Sequence, residues 1–182
     1  MDKIKNLGHL MLDLETMGKR PGCAIVSIGA VEFDIKTGAT GREFYERVNL
    51  KQGLFVDAST IYWWLQQNEQ ARLELCKGGL DIDTALAKFG SFTLDLGDFE
   101  IWGNGASFDF GILEAAIYAC GYTKEPWDFR KERDVRTMVS LAPVIKEHYS
   151  FSGVQHYPID DCKHQIGYCS AIWRYIIQPF ME

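Results

Sequence analysis

Three β-prone segments follow one another before any helical pattern begins, and this succession limits the fold more than any other feature of the chain. His9-Leu10-Met11-Leu12 runs into Asp13-Leu14-Glu15-Thr16 and is stopped by the Gly/Lys/Arg/Pro loop at residues 17–22, as a strand entering a turn does. Residues 24–33 (AIVSIGAVEF) are rich in β-branched side chains, and residues 44–50 (FYERVNL) alternate apolar with polar. Thr37-Gly38 supplies a turn between them, so the N-terminal third reads as an antiparallel meander. Helical signals come next: Ser59 or Thr60 caps a helix to about Cys76, with Gly78-Gly79 as its stop, and Asp83 or Thr84 begins a shorter one. Residues 99–102 form a short apolar strand, and residues 107–120 a helix closed by Gly121. Residues 124–136 (KEPWDFRKERDVR) are the most charged stretch and read as a surface loop entering a helix at 136–141. A last helix begins near Asp160, its stripe formed by Cys162, Ile166, Cys169, Trp173 and Ile176 at three- and four-residue steps. The pattern predicts one α/β domain over residues 1–182, a mixed central sheet flanked by helices.

Composition narrows the function. With 25 acidic against 19 basic residues the net charge is −6, so the broad positive field of a protein that coats duplex DNA is missing. A nucleic acid would be held locally or through metal ions. No apolar run reaches the roughly 18 residues needed to span a bilayer, and the opening residues lack a leader's apolar core and cleavage site. A cytoplasmic protein is expected. The five cysteines (Cys23, Cys76, Cys120, Cys162, Cys169) contain no CxxC pair and read as reduced residues, most of them in the core. His156, Cys162 and His164 lack the paired spacing of a zinc set.

The acidic residues carry the chemistry. Residues two apart in a strand share a face, so Asp13 and Glu15 present two carboxylates side by side at a strand end. Such a pair is costly unless a cation lies between the two charges, and carboxylates suit hard ions such as Mg²⁺ or Mn²⁺. Asp109, in the first turn of a helix that follows a strand, is a third candidate. Asp161, at the start of the last helix and five residues after His156, is a fourth. Four acids at the ends of core elements, with a histidine, are the parts of a two-metal phosphodiesterase.

These residues resemble the DnaQ-like 3′–5′ exonucleases of the DEDD group, which have a ribonuclease H-like fold. The similarity lies in Asp13-Leu14-Glu15-Thr16, in Ile28-Gly29-Ala30-Val31, in residues 104–109 and in His156-x4-Asp161. Asp13-Leu14-Glu15-Thr16-Met17-Gly18 and Trp63-Trp64-Leu65-Gln66-Gln67 look most like the phage and bacterial exonuclease or exoribonuclease branch with a catalytic histidine. The resemblance implies that Asp13, Glu15, Asp109 and Asp161 bind two ions and that His156 is the general base. It implies hydrolysis at the 3′ end of single-stranded RNA or DNA. A same-fold endonuclease, or a binding module without useful catalysis, is the alternative. It also suggests a homodimer.

Several residues admit two readings. The other branch of the group has a tyrosine four residues before the last aspartate, and Tyr157-x3-Asp161 fits that spacing too. An imidazole with a reference pKa near 6.5 accepts a proton at neutral pH far more readily than a phenol near 10, which favours His156. Pro158 replaces the small residue usual there and removes a backbone donor. Asp160 either caps the last helix or backs up the metal site, capping being the favoured reading. On a helix Trp64 falls on an apolar face. Trp63 falls among Gln66, Gln67, Gln70 and Glu74, where it stacks a nucleobase or makes a packing or subunit contact. Phe108 lines the groove or the core, and Thr16 and Asn104 are further candidate substrate contacts. Lys19, Arg20, Arg130, Lys131 and Arg133 steer phosphates or simply face solvent. His148 and His164 read as surface or capping residues.

Overall fold

A computed structural model describes residues 6–51 and 53–178; residues 1–5 of the opening segment discussed above lie outside that range. Five strands form one sheet in the order β3-β2-β1-β4-β5. Strands β1 (His9–Thr16), β2 (Ile25–Phe33) and β3 (Thr40–Arg47) make the expected antiparallel meander. β4 (Glu100–Gly103) and β5 (Glu132–Asp134) add to the other side of β1 in parallel. Parallel neighbours require crossovers. The crossover into β4 carries α1 (Ala58–Leu65), α2 (Glu69–Cys76) and α3 (Ile82–Leu96), and the next one carries α4 (Ala106–Ala119). After β5 come α5 (Val135–Leu141), α6 (Pro143–Glu147) and α7 (Pro158–Ile177). Helices cover both faces, the arrangement of a ribonuclease H-like α/β fold.

The alternation of β1 decides which face holds the chemistry. Leu10, Leu12 and Leu14 enter one core with Phe89 of α3 and Ile112, Leu113 and Ala116 of α4. Met11 enters the other, with Trp102, Val135, Cys162, Ile166 and Cys169. Asp13 and Glu15 continue the Met11 side, toward α7. All nine residues of β2 are buried, which holds β1 in the interior of the sheet. A third small core of Met17, Ala24, Val26, Trp64 and Ala71 seats α1 and α2 on the end of the meander. The start of α7 comes down onto β2 at Gly29, where a Cβ would lie 2.3 Å from that of Pro158. Only glycine permits that approach, and it brings the N-terminus of α7 beside the acidic end of β1.

Five expectations are corrected. The single helix over 59–76 is two helices: Asn68 interrupts it, its side chain accepting the Ala71 N–H at 2.9 Å as a new N-cap. Asp57, rather than Ser59 or Thr60, caps α1. β3 spans Thr40–Arg47 rather than 44–50, because Thr40 pairs with Phe33 across the turn while Val48 bridges to Leu80. α3 begins before Asp83 and Thr84; its 15 residues follow Asp81. The charged loop at 124–136 contains strand β5, and Trp127 within it is buried and donates its indole N–H to Glu132. Cys76 is exposed and Cys120 partly so, whereas Cys23, Cys162 and Cys169 are buried; all five are free thiols.

Candidate active site

The C-terminal ends of β1 and β4 and the N-terminal ends of α4 and α7 converge on one cavity of about 410 Å³. Its wall includes Asp13 and Glu15 from β1, Thr60, Trp63 and Trp64 from α1, and Asn104 and Phe108 from the β4–α4 junction. His156, Asp161 and Gln165 close it from the α7 side. Glu15, His156 and Asp161 each offer one ligand atom within 4.8 Å of the others. Asp161 and Gln165 are four residues apart and therefore share a helix face, from which Gln165 Nε2 donates to Asp13 Oδ1 at 2.9 Å. Asp109 is not on the cavity wall. It is 2% exposed, and its Oδ1 accepts the Leu14 N–H at 3.3 Å, so it stands behind the strand end rather than in the opening.

Burial and mutual repulsion govern the charges. Asp13 and Glu15 are pushed well above the usual carboxylate range, first by burial and then by the neighbouring acids. Asp109 is pushed up to about 7 by burial, against backbone N–H groups and the Arg136 charge, which favour the anion. Burial raises Asp161 to about 6. Four acids so placed favour a bound cation or a proton. Two buried oxygens on the cavity wall, Asp161 Oδ2 and Gln165 Oε1, have no hydrogen-bond partner. Such orphaned acceptors beside crowded carboxylates fit hard divalent ions with their waters.

The histidine and the tyrosine part company here. The His156 imidazole packs edge-on against Trp63 at 4.8 Å and Trp64 at 5.9 Å between centroids, and burial lowers its pKa below 6.5. It is therefore neutral at pH 7. Tyr157 turns the other way, against Tyr45 at 4.9 Å, and lines a separate groove with Arg47, Glu74 and Lys77. Trp64 is buried and donates its indole N–H to the Thr16 carbonyl at 3.0 Å. Trp63 remains 40% exposed at the cavity mouth. Thr16 is committed locally, its hydroxyl donating to the Gly18 carbonyl at 2.7 Å. Phe108 serves both readings, packing on the core and lining the cavity.

Lys19 is on the cavity wall, whereas Arg20 lies over the Phe55 ring. Arg130, Lys131 and Arg133 pair with Asp128, Asp98 and Glu100, away from the cavity. His148 is exposed, but His164 is half-buried among Tyr149, Phe151 and Tyr168 rather than on the surface. Sequence reasoning passed over Gln165 and Thr60. The four-residue step from Asp161 was the available signal for Gln165; Thr60 carried none beyond its competence as a cap.

Known proteins resemble this chain in sequence and in fold. The family model described as a 3′–5′ exoribonuclease Rv2179c-like domain matches residues 8–173. An exodeoxyribonuclease of Enterobacteria phage T4 is 26% identical over 165 residues, covering 75% of this chain and 73% of that protein. Among solved structures, cell-death related nuclease 4 superposes with a TM-score of 0.69 at 13% identity, over 91% of this chain and 63% of its own. The nuclease domain of 3′hExo, a DEDDh family member bound to rAMP, gives 0.66 at 13% identity over 94% of both chains. The zinc-bound E. coli ExoI–ssDNA complex gives 0.67 at 15% identity, over 96% of this chain and 41% of that one. At these identities the structures show a shared fold, and the chain spans less than two thirds of the first and third. The match of the family model over nearly the whole chain carries the assignment: this protein belongs to the 3′–5′ exoribonuclease Rv2179c-like domain family.

Proposed function

We propose that this protein removes nucleotides one at a time from the 3′ end of single-stranded RNA or DNA, with Asp13, Glu15, Asp109 and Asp161 as the metal-holding acids and His156 as general base. The observation that carries the reading is the meeting of Glu15, His156 and Asp161 within 4.8 Å, beside Asp13, in one cavity. Two magnesium or manganese ions, when bound, would neutralise the phosphate, lower the pKa of a water and stabilise the departing oxygen. The neutral imidazole of His156 accepts the proton of the attacking water. The water oxygen bonds to phosphorus, the bond to the 3′ oxygen of the preceding nucleotide breaks, and a nucleoside 5′-monophosphate leaves. Gln165 orients Asp13 through the hydrogen bond it donates. Trp63, open at the cavity mouth, stacks the terminal base, and Asn104, Phe108 and the backbone around Thr16 shape its pocket.

The names of the relatives divide between RNA and DNA, and comparing 5′-labelled RNA and DNA strands with Mg²⁺, Mn²⁺ and chelator tests the reading on both. Single-nucleotide shortening of one strand with metal and none with chelator supports the reading. Chelator-resistant cleavage, or internal cuts without a ladder, refutes it. A homodimer forms part of the proposal, supported by exposed Tyr62 and Leu65 on α1; a monomer by light scattering across micromolar concentrations removes it. No helix among the described residues is long and apolar enough to cross a membrane, and the five free thiols suit the cytoplasm we propose for it.

A further inference from the structure

His156 occupies a backbone conformation that residues other than glycine seldom adopt. Its φ is +66°, and among the described residues it is the only one besides glycine with positive φ. That region crowds the Cβ of an L-residue, so surrounding contacts must hold the backbone there. His156 is the third residue of a turn closed by the Tyr157 N–H donating to the Val154 carbonyl at 3.2 Å. Asp160 straddles this turn. Its N–H donates to the Tyr157 carbonyl at 2.9 Å, and its carboxylate Oδ2 accepts the Val154 N–H at 2.8 Å. The preceding residue is Gly153, at φ +112°, where a Cβ would lie 2.5 Å from the Asp160 carboxyl carbon. Only glycine lets the chain pass so close to that carboxylate.

A second tether lies one turn further along the same face of α7. His164 packs on Phe151 at 4.8 Å and on Tyr149 at 5.7 Å, and the Tyr149 ring lies directly over Gly167. Residues 160, 164 and 167 form one helical stripe. The neighbouring stripe, Asp161 and Gln165, faces the cavity. Thus α7 presents acids to the site with one stripe and grips the segment that carries the histidine with the next.

We propose that Asp160 is a positioning residue for the general base, clasping the 153–157 turn so that His156 is held at the cavity wall. The inference rests on the reading of His156 as the base. It assigns Asp160 to neither of the roles weighed from the sequence, since the carboxylate caps no amide within α7 and is not on the wall of the acidic cavity. Because the carboxylate acts as a hydrogen-bond acceptor, the amide oxygen of asparagine should replace it.

The test measures kcat and KM on a labelled single strand for Asp160→Ala and Asp160→Asn, each alone and combined with His156→Ala. Asp160→Ala is expected to lower kcat roughly 10- to 100-fold, the scale of a misplaced reacting group, with KM within about twofold. Asp160→Asn should restore most of the loss. In the His156→Ala background, Asp160→Ala should change kcat by less than about twofold, since once the base is absent its misplacement has nothing further to cost. An equal loss in both backgrounds, a wild-type rate for Asp160→Ala, or an asparagine variant as poor as alanine would overturn the inference. A fully active His156→Ala would instead refute the reading of the base. Should Asp160→Ala not fold, Gly153→Ala displaces the same turn with the carboxylate retained and is read against the same backgrounds.

Discussion

Asp109→Asn should make the metal-free protein more stable at pH 8 while abolishing hydrolysis. The wild-type carboxyl is 2% exposed and pushed from its ordinary 3.8 to about 7. In the unfolded chain it ionises near 3.8, so between that pH and 7 the folded state holds a proton that the unfolded state has lost. Stability contributed by this group therefore falls as pH rises through 7, and at pH 8 the folded protein carries a buried anion. A rise from 3.8 to about 7 corresponds to roughly 4 kcal/mol. Relaxation around the charge lowers that figure, so we expect about 1–4 kcal/mol. For a chain of this size the gain corresponds to a rise of about 3–12 °C in Tm. Asparagine can keep an oxygen toward the Leu14 N–H; it removes the charge and exchanges the second oxygen for an amide. The assay is thermal unfolding in chelator at pH 8 and at stepwise lower pH. The variant's advantage should shrink as the pH is lowered through 7 toward 4, and saturating Mg²⁺ at pH 8 should stabilise wild type more than the variant. An Asp109→Asn protein no more stable than wild type at pH 8 in chelator would refute the reasoning.

Other consequences are as direct. His156→Ala should cost on the order of 10²- to 10⁴-fold in kcat, and Tyr157→Phe far less, since that ring packs on Tyr45 outside the cavity; the reverse order in steady-state kinetics would place this chain in the tyrosine branch. Trp63→Ala should raise KM with little loss of Tm, whereas Trp64→Ala, which removes a buried ring and its bond to Thr16, should cost about 3–5 kcal/mol in denaturant unfolding; equal effects would contradict the division between them. Apparent Mg²⁺ affinity should rise with pH from 5 to 8, because the raised carboxyls of Asp109 and Asp161 release their protons there at about 7 and about 6, and an affinity flat across that range by calorimetry would oppose the assignment. Without nucleic acid the ions should bind weakly, since phosphate oxygens complete their coordination; two tight sites on the free protein would be inconsistent with this.

Legibility followed the length scale of the signal. The period of two placed Asp13 and Glu15 on one side of β1, and the three- and four-residue steps of α7 placed Asp161 on a helix that buries one apolar stripe. Those rules are local and strong. The break between α1 and α2 was hidden because residues on both sides of Asn68 are good helix formers; the capping competence of Asn68 was visible, but only packing of Trp64 and Ala71 into one small core makes it decisive. β5 has three residues, all charged, and exists because β4 offers it an edge, a tertiary cause that no window of sequence contains. The depth of Asp109 was likewise illegible: a first-turn acid usually faces solvent, and this one is covered because α4 leaves directly from the end of β4 beside Leu14. The left-handed turn at His156 was beyond reach for the same reason, since its cause is a carboxylate four residues away on α7.

The central claim is that the carboxylates gathered at the end of β1 run the hydrolysis, and one gel tests it. A 5′-labelled single strand of the preferred nucleic acid is incubated at saturating Mg²⁺ with wild type and with Asp13→Asn, both checked for equal folded content by circular dichroism. Wild type should give a ladder shortened by single nucleotides from the 3′ end, and Asp13→Asn should leave the strand intact, because it removes ligand charge with little change in volume. A folded Asp13→Asn protein that produces the same ladder at near-wild-type rate would contradict the account.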